Sequence, residues 1–201
     1  MPMRYIFYIM GKSATGKNMV YEGLLGDEAL GLSPLVPWTT RPIRAGERDG
    51  ADYHFTDEEG LAAMEREGRV IEKRVYHTVL GDWTYFTAAL REEDGEGDLL
   101  GIGTLESFEK LRDYYGAETV IPLYVETPDD VRLERALKRE RKQSEPTYEE
   151  MCRRFLADQK DFSDARLAAA GITVRFVNDA DKEECVAGIA AYIGAVRRGE
   201  R

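Results

Sequence analysis

Apolar runs and helix-like segments alternate along most of this chain. Tyr5–Met10 is a short, nearly continuous apolar run that ends at Gly11, and Met19–Leu25 follows it with helical character. Continuous apolar runs of this length are typical of strands buried on both faces of a sheet. The other elements predicted in this way are strands at Leu99–Gly103, Val120–Val125 and Ile172–Val177, and helices at Leu105–Tyr115, Pro128–Lys142, Tyr148–Ala170 and Lys182–Val196. The alternation predicts a parallel α/β fold.

Three helix starts carry specific signals. Thr127 precedes Pro128 and two aspartates, an arrangement typical of an N-cap, a proline in the first turn and acidic residues near the helix dipole. Thr56 and Thr147 are each followed by a glutamate three residues later, which predicts a capping box at each threonine.

The pattern changes between Ser33 and Leu90. Prolines become frequent, and the runs "RVIEKRVYHTVL" and "DWTYFT" are rich in aromatic and β-branched residues. Such runs predict antiparallel strands, here joined around a short helix. We therefore predict a small lobe at residues 34–90, inserted into a core made of residues 1–33 and 91–201.

Composition narrows the class of protein. Among 201 residues, 28 Lys and Arg face 38 Asp and Glu, and the net charge of −10 argues against nonspecific binding to nucleic acid or anionic lipid. The two cysteines are far apart in sequence, so neither a disulfide framework nor a zinc site is indicated. No apolar run approaches the roughly 18 residues of a membrane span. We expect a cytoplasmic protein with no nucleic-acid or membrane partner, and the oligomeric state stays open.

The first strand leads into a near-complete phosphate-binding loop. Gly11, Gly16 and Lys17 fit the pattern G-x-x-x-x-G-K-[ST] between a predicted strand and a predicted helix. Backbone N–H groups and the helix N-terminus would converge on one point, which favours a polyphosphate. The residues predicted to bind ATP in this loop are Gly11, Lys12, Ser13, Ala14, Thr15, Gly16, Lys17 and Asn18. Asn18 stands where a hydroxyl usually binds magnesium, so we assign it as a weak metal ligand.

A second motif lies in the predicted lobe. In "TTRPIRAGERDGADYHF", Arg41, Arg44 and Tyr53 can surround a phosphate monoester with charged and hydroxyl donors. The stretch resembles the acceptor-site signature of guanylate kinases, T-T-R-x-x-R-x-G-E-x-x-G-x-D-Y-x-F, and Glu47 falls on its glutamate. The resemblance implies a P-loop core with a lobe that binds GMP.

The resemblance continues in "VIEKRVYHTVLGDWTYFT". Here Glu72 corresponds to the glutamate that reads guanine, and Tyr85 and Thr87 correspond to the pair that completes the GMP site. A carboxylate suits guanine because it accepts from N1–H and the exocyclic amine together. The competing interpretation of Glu72 is an exposed charge on an edge strand.

Residues 131–154 are similar to the lid of the same family. Arg135, Arg139 and Arg154 match its arginines, which implies that they stabilise the transferred charge together with Lys17. Asn178 matches the asparagine beside the donor base. The competing interpretation of each arginine is a solvated helix face with i,i+4 partners.

Three departures from the family pattern bear on the chemistry. Gly101 and Gly103 stand where the family has two acidic residues, and Pro37 replaces a serine that helps to read guanine. Glu106 is a conceivable substitute carboxylate. The sequence thus predicts transfer of a phosphoryl group from ATP to GMP with Mg²⁺ as cofactor. The alternatives are a kinase for another nucleoside monophosphate, and a phospho-ligand-binding module without turnover.

Overall fold

Strands and helices alternate over most of the chain in a computed structural model, which describes residues 4–78, 81–91, 97–179 and 182–200. In chain order the elements are β1 (Ile6–Met10), α1 (Lys17–Gly26), β2 (Ser33–Pro34), β3 (Trp38–Thr39), β4 (His54–Phe55), α2 (Glu58–Arg66), β5 (Val70–Thr78), β6 (Gly81–Ala88), β7 (Leu99–Gly103), α3 (Leu105–Tyr115), β8 (Val120–Glu126), α4 (Asp129–Glu140), α5 (Tyr148–Asp161), α6 (Asp164–Ala169), β9 (Arg175–Val177) and α7 (Lys182–Arg197).

β1 lies at the centre of the main sheet. The strand order is β2-β7-β1-β8-β9, and every neighbouring pair runs parallel. All five residues of β1 are buried, as expected for a strand covered by helices on both faces. The predicted parallel α/β fold is confirmed. Because the strands are parallel, the loops that follow β1, β7 and β8 meet at one edge of the sheet.

The two faces of β1 pack into separate clusters. Tyr8 and Met10 belong to the cluster that includes α3, whereas Phe7 and Ile9 belong to the cluster that includes α1 and α7. The alternation follows from the two-residue period of a strand. Each of these fully buried side chains contributes about 1.5–3 kcal/mol relative to an exposed one.

A second, four-stranded sheet lies within residues 38–88, in the order β4-β3-β6-β5. β5 and β6 form the predicted antiparallel hairpin, with Glu72 opposite Thr87 and Arg74 opposite Tyr85. β3 and β4, by contrast, pair in parallel across the long acceptor motif between them. Residues 79 and 80 of the predicted strand lie outside the described residues. The division of the chain into two domains stays a prediction.

The cap predicted at Thr127 and the capping boxes predicted at Thr56 and Thr147 do not form, although Thr147 is the N-cap residue of α5 as predicted. α2 is capped by Asp57, whose carboxylate accepts from the Gly60 N–H at 2.8 Å, so the predicted box at Thr56 is displaced by one residue. α4 begins at Asp129 with Pro128 as its N-cap, because the Thr127 hydroxyl donates to the Asn178 carbonyl instead.

At the start of α5, Thr147 precedes the helix but its side chain makes no capping bond. Its N–H and hydroxyl donate to Glu140, at 2.5 and 3.0 Å. Glu150, the other half of the predicted box, pairs with Arg153 and Arg154. These contacts have therefore replaced the two hydrogen bonds of the predicted capping box.

Two predicted boundaries also differ. The segment 148–170 forms two helices, α5 and α6, rather than one. The break falls at Phe162, which is buried and stacks on Tyr124 with ring centroids 5.8 Å apart. The strand predicted from Ile172 begins only at Arg175. Within the described residues, no helix combines the length and the apolar character needed to cross a membrane.

Candidate active site

The phosphate loop between β1 and α1 depends on its two glycines. Gly16 has a φ of 83°, a left-handed conformation that suits glycine. Gly11 lies so close to β8 that an added Cβ would sit 2.4 Å from the Val125 carbonyl oxygen. The two glycines of the motif therefore serve one turn that needs a positive φ and one close backbone approach.

Asn178 fastens the loop to the end of β9. Its side-chain amide donates to the Thr15 carbonyl at 2.7 Å, and its own carbonyl accepts from the Thr127 hydroxyl at 2.8 Å. Asn178 is 1% exposed, although it also lines the cavity beside the loop. Its observed contacts hold the loop in position, and its predicted place beside the donor base stays a prediction.

A cavity of about 740 Å³ opens on this loop. It brings together loop residues, the start of α1, and the three predicted lid arginines. The residues that line it are Ser13, Ala14, Gly16, Lys17, Asn18, Met19, Arg135, Arg139, Arg154, Asn178 and Glu183. Residues from four separate parts of the sequence thus surround one space that is suited to an anion.

The charges that act on the Lys17 ammonium group in this cavity are those of one carboxylate and two guanidinium groups. Burial lowers the pKa of its ammonium group, the nearby Asp158 opposes that change, and Arg139 and Arg132 add to the lowering. Among the described residues, its Nζ donates a single long bond of 3.4 Å, to the Lys12 carbonyl. A bound polyphosphate would supply the missing countercharge.

The lid arginines are held in different ways. Arg135 donates to the backbone carbonyls of Asn178 and Asp179, at 3.0 and 2.9 Å. Arg154 is exposed and donates to Glu150 at 2.8 Å. Arg135 is therefore fixed against the base of the loop, whereas Arg154 lies at the rim of the cavity.

Lys12 and Thr15, both predicted to bind ATP, direct their side chains elsewhere. The Lys12 ammonium contacts Gln159 and lies 3.6 Å from Asp129, on the side of α4 and α5. The Thr15 side chain is buried and its hydroxyl donates to the Lys12 carbonyl. Only their backbone groups remain available to a phosphate.

Two residues near the loop were missed by the sequence analysis. Asp158 on α5 accepts from the Ser13 N–H at 2.7 Å. Arg132 on α4 is 1% exposed and donates to the Ser13 carbonyl, to Asp129 and to Asp158. Nothing in the local sequence distinguishes them from surface charges, because the contacts of both residues with Ser13 and with each other span 26 to 145 residues of the chain.

The acceptor motif places Arg41 and Arg44 differently. Arg41 is 3% exposed, and its guanidinium binds both Glu47 oxygens, at 2.6 and 2.7 Å, and the Tyr85 hydroxyl at 3.0 Å. The Glu47 carboxylate also accepts from the Arg44 N–H. Hydrogen bonds from Arg41 and then Arg44 lower the pKa of Glu47 to about 2. Glu47 therefore organises the loop that presents both arginines.

Arg44, in contrast, is exposed and its guanidinium lies 5.8 Å from the centre of the Trp83 ring. Tyr53 packs edge-on against Tyr85, with ring centroids 5.6 Å apart. Arg41 lies over the same Tyr53 ring at 5.0 Å. The structure thus brings four predicted GMP residues, namely Arg41, Arg44, Tyr53 and Tyr85, to one end of the lobe.

A second cavity, of about 480 Å³, extends from these residues toward the main sheet. It has mostly aromatic and aliphatic walls. Its lining comprises Tyr8, Leu35, Pro37, Tyr53, Arg74, Tyr76, Trp83, Tyr85, Thr87, Ile102 and Gly103. The size and the flat aromatic walls suit a nucleobase with its sugar.

Glu72 lies beside this cavity with its carboxylate already engaged. Its side chain is 7% exposed, Oε1 accepts from the Thr87 hydroxyl at 2.9 Å, and Oε2 lies 3.3 Å from Nε of Arg74. The exposed-charge interpretation of Glu72 is therefore wrong.

Tyr8 occupies the space left by the two unusual glycines. A Cβ on Gly101 would lie 2.6 Å from the Tyr8 ring, and a Cβ on Gly103 would lie 2.2 Å from the Tyr8 hydroxyl oxygen. Tyr8 is opposite Gly101 in the parallel pairing of β1 and β7. The sequence signal for this contact is the pair of glycines inside a predicted strand, because a glycine there often marks a close approach by a neighbouring element.

A smaller cavity of about 250 Å³ shares lining residues with both of the larger ones. It shares Ser13 and Lys17 with the cavity at the loop, and Arg74 and Gly103 with the aromatic cavity. Glu106, the conceivable substitute carboxylate, also lines it. The phosphate loop and the acceptor lobe therefore face a common space.

Protein ligands for a metal are sparse near the loop. In the described ranges, no group of three or more His, Cys, Asp or Glu side chains is placed to hold a metal ion. Asp158 and Asp129 are engaged by Arg132, and Asn18 offers one neutral oxygen. These residues do not form a protein-built magnesium site, so the ion would have to be held mainly by phosphate oxygens and water.

Comparison with known proteins gives consistent matches. Residues 3–165 match the family model for guanylate kinase. The guanylate kinase of Paraburkholderia xenovorans (strain LB400) is 30% identical over 165 residues, which span 80% of this chain and 68% of that protein. The guanylate kinase of Nitrobacter winogradskyi is 35% identical over 135 residues, but the match spans only 59% of that protein and 66% of this chain.

A solved structure supports the fold. The crystal structure of guanylate kinase from Anaplasma phagocytophilum matches with a TM-score of 0.62 and 20% identity, over 98% of this chain and 88% of that one. Together with the family match over most of the sequence, the loop, the lobe and the lid arginines lead to one assignment: this chain belongs to the guanylate kinase family.

Proposed function

We propose that this protein transfers the γ-phosphoryl group of ATP to the phosphate of GMP. One observation carries the proposal: the small cavity that contains Lys17 adjoins both the loop cavity and the acceptor cavity. A donor in one and an acceptor in the other would place their phosphates on either side of Lys17. Family membership supports the same reaction.

The reaction needs little covalent help from the protein. An anionic phosphate oxygen of GMP attacks the γ-phosphorus of ATP, the bond from that phosphorus to the bridging oxygen breaks, and ADP leaves with the electron pair. No general base is required, because the attacking oxygen is already deprotonated. The contribution of the chain is therefore positioning and charge stabilisation.

The residues divide between these two tasks. Arg44, the Tyr53 hydroxyl and the Tyr85 hydroxyl would hold the acceptor phosphate, with Arg41 fixing the Tyr85 oxygen through its Nε. Lys17, Arg135 and Arg139 would neutralise the charge on the transferred group from the donor side, and Arg154 would join them from the rim. Each such charge-assisted donor is worth about 1.5–3 kcal/mol in a site shielded from water.

Magnesium is the cofactor that we infer for the donor nucleotide. It would enter with ATP and neutralise part of the charge on the donor phosphates. Because Asn18 offers a single neutral oxygen, we expect the protein to add little to the binding of the ion.

The alternatives have less support. A phospho-ligand-binding module has no need of a donor site, yet Lys17 and three lid arginines surround the loop cavity. The other alternative is a kinase for a different nucleoside monophosphate, and the assay described next distinguishes it from a GMP kinase. A cytoplasmic location stays a prediction.

The test is ADP release, coupled to NADH oxidation, with ATP and a panel of GMP, IMP, AMP, CMP and UMP. We expect turnover with GMP to exceed that with AMP by at least roughly a hundredfold, because adenine reverses the donors and acceptors that Glu72 would meet. Lys17→Met is the control: it should abolish turnover while GMP binding, measured by calorimetry, persists. Binding of GMP without turnover of any nucleotide in the panel would favour the binding module. Faster turnover of another nucleotide in the panel would show that it, and not GMP, is the acceptor.

A further inference from the structure

Arg74 is a partly buried cation whose Nε has no hydrogen-bond partner among the described residues. It lies on β5 two residues after Glu72, lines the aromatic cavity, and its side chain is 30% exposed. Its Nε is buried and donates no hydrogen bond, although Oε2 of Glu72 lies 3.3 Å away. A buried charged group with an unsatisfied donor carries a free-energy penalty. A ligand that accepts a hydrogen bond from Arg74 would remove this penalty and bind more tightly.

Several polar or replaced residues around Glu72 are poorly suited to donate to a base. The Thr87 hydroxyl hydrogen points to Oε1 of Glu72, so Thr87 offers a base only its lone pairs. Pro37, also in the cavity wall, has neither an N–H nor a polar side chain. Tyr85 accepts from Arg41 at the phosphate end of the lobe. Arg74 is therefore the donor best placed beside the Glu72 carboxylate.

The Glu72–Arg74 pair is complementary to the hydrogen-bonding edge of guanine. Guanine presents the O6 acceptor next to two donors, N1–H and the exocyclic amine, whereas adenine presents a donor next to an acceptor. A carboxylate beside a guanidinium matches the first pattern and opposes the second. The walls around Arg74, which include Tyr8, Leu35 and Ile102, suit a flat base better than a phosphate.

We propose that Arg74 determines specificity by donating to the O6 atom of the acceptor guanine, while Glu72 accepts from its N1–H and amine. This inference rests on the proposed function and names how its base is recognised. It assigns the recognition of the oxo group to a residue that the acceptor-site motif does not include.

The position of Arg74 along the hairpin supports the base rather than the transferred phosphate as its partner. Glu72 already balances its charge at 3.3 Å. Burial raises the pKa of Tyr8, and the charge of Arg74 acts against that rise, as it does at Tyr53. Arg74 also lines the small cavity that contains Lys17, but the charges that act on the pKa of Lys17 are those of Asp158, Arg139 and Arg132. The two tyrosines whose pKa the charge of Arg74 affects, Tyr8 and Tyr53, belong to the acceptor cavity.

The experiment combines an enzyme change with a ligand change at one atom. Dissociation constants of GMP, 6-thio-GMP and IMP are measured by calorimetry for wild type and Arg74→Met. Sulfur is a weak acceptor, so wild type should bind GMP about threefold to tenfold more tightly than 6-thio-GMP. In Arg74→Met, GMP should bind about tenfold to a hundredfold more weakly and the ratio should fall close to one. The preference for GMP over IMP should persist, because Glu72 reads the amine.

Two further variants keep the result interpretable. Lys73→Met removes a charge from the opposite face of the same strand, where Lys73 pairs with Glu65, and should leave all three constants unchanged. Arg74→Lys keeps a cationic donor and should retain part of the preference for oxygen over sulfur, even if the methionine variant folds poorly.

The outcomes separate this inference from the proposed function. Wild type that binds no GMP would overturn the proposed kinase activity together with this inference. Wild type that binds GMP, with an Arg74→Met variant that binds it equally well, would overturn the inference alone. Equal weakening of GMP and 6-thio-GMP, with their ratio preserved, would also overturn it, because Arg74 would then act on another part of the nucleotide.

Discussion

At the scale of single residues, the two arginines of the acceptor motif have different duties. The motif presents Arg41 and Arg44 as equivalent phosphate ligands, three residues apart. In the structure Arg41 is buried and bound to both oxygens of Glu47, whereas Arg44 is exposed and only its backbone N–H reaches Glu47. Arg41 supports the loop, whereas the Arg44 guanidinium is exposed and makes no hydrogen bond with the described residues.

This difference predicts different effects of the same substitution. Arg44→Met should weaken GMP binding about tenfold or more and leave the thermal unfolding midpoint close to that of wild type. Arg41→Met should weaken binding at least as much and also lower the midpoint, because it leaves the Glu47 carboxylate without its partner. Calorimetry and thermal unfolding of the two variants, side by side, test this. Equal midpoints for both would contradict the supporting role of Arg41.

At the scale of elements, β1 and β7 pack together through one large residue on β1, Tyr8, and two glycines on β7, Gly101 and Gly103. The space above Gly101 and Gly103 is filled by Tyr8 from the neighbouring strand. Tyr8 and the two glycines therefore form a packed wall beside the acceptor cavity. This wall leaves no room for acidic side chains at positions 101 and 103 unless Tyr8 changes as well.

Gly101→Ala should accordingly destabilise the protein by about 1–3 kcal/mol, the usual cost of overpacking a core. Its Cβ would meet the Tyr8 ring at 2.6 Å and Leu35 at 3.1 Å. Gly26→Ala is the control: no atom lies within 4 Å of its added Cβ, and alanine favours the helix, so stability should stay equal or rise.

The measurement is urea-induced unfolding of Gly101→Ala, Tyr8→Ala and the double variant. We expect the alanine at position 101 to cost clearly less when Tyr8 is absent, since the two changes share one contact. Additive effects would show that the glycine does not depend on the tyrosine.

At the scale of the whole molecule, the donor side of the site is assembled from α1, α4, α5 and the end of β9. Arg135 and Arg139 come from α4, and Arg154 from α5, while Asp158 and Arg132 tie these helices to the phosphate loop. The acceptor residues lie on the separate sheet within residues 38–88. Phosphoryl transfer requires both parts to enclose the phosphates and exclude water.

We therefore expect the lobe and the lid to close when both sites are filled. The radius of gyration from X-ray scattering should decrease when an adenosine–guanosine polyphosphate that spans both sites is added. GMP alone should produce a smaller decrease, because it engages the lobe without the lid arginines. Superimposable profiles with and without the spanning ligand would contradict a closing role for residues 131–154.

Much of the fold followed from the sequence because its signals are local. Continuous apolar runs predicted β1, β7 and β8, and the glycine spacing after β1 predicted the phosphate loop. The caps failed for the opposite reason. Thr127 and Thr147 had local partners within reach, but Asn178 and Glu140 offered bonds that only the folded chain makes available.

The sequence by itself determined the parallel core, the phosphate loop and the family to which the chain belongs, since each depends on residues that are neighbours along the chain. Tertiary structure alone decided which charges face a ligand and which hold the framework. Arg41 is paired with Arg44 in the sequence motif, yet it is buried against a carboxylate and a backbone carbonyl. Arg132 and Arg74 look alike in sequence, but Arg132 is buried against the Ser13 carbonyl, whereas the Nε of Arg74 has no hydrogen-bond partner among the described residues. The cause is physical: the partner that satisfies a charge lies across the fold, where the order of residues gives no information.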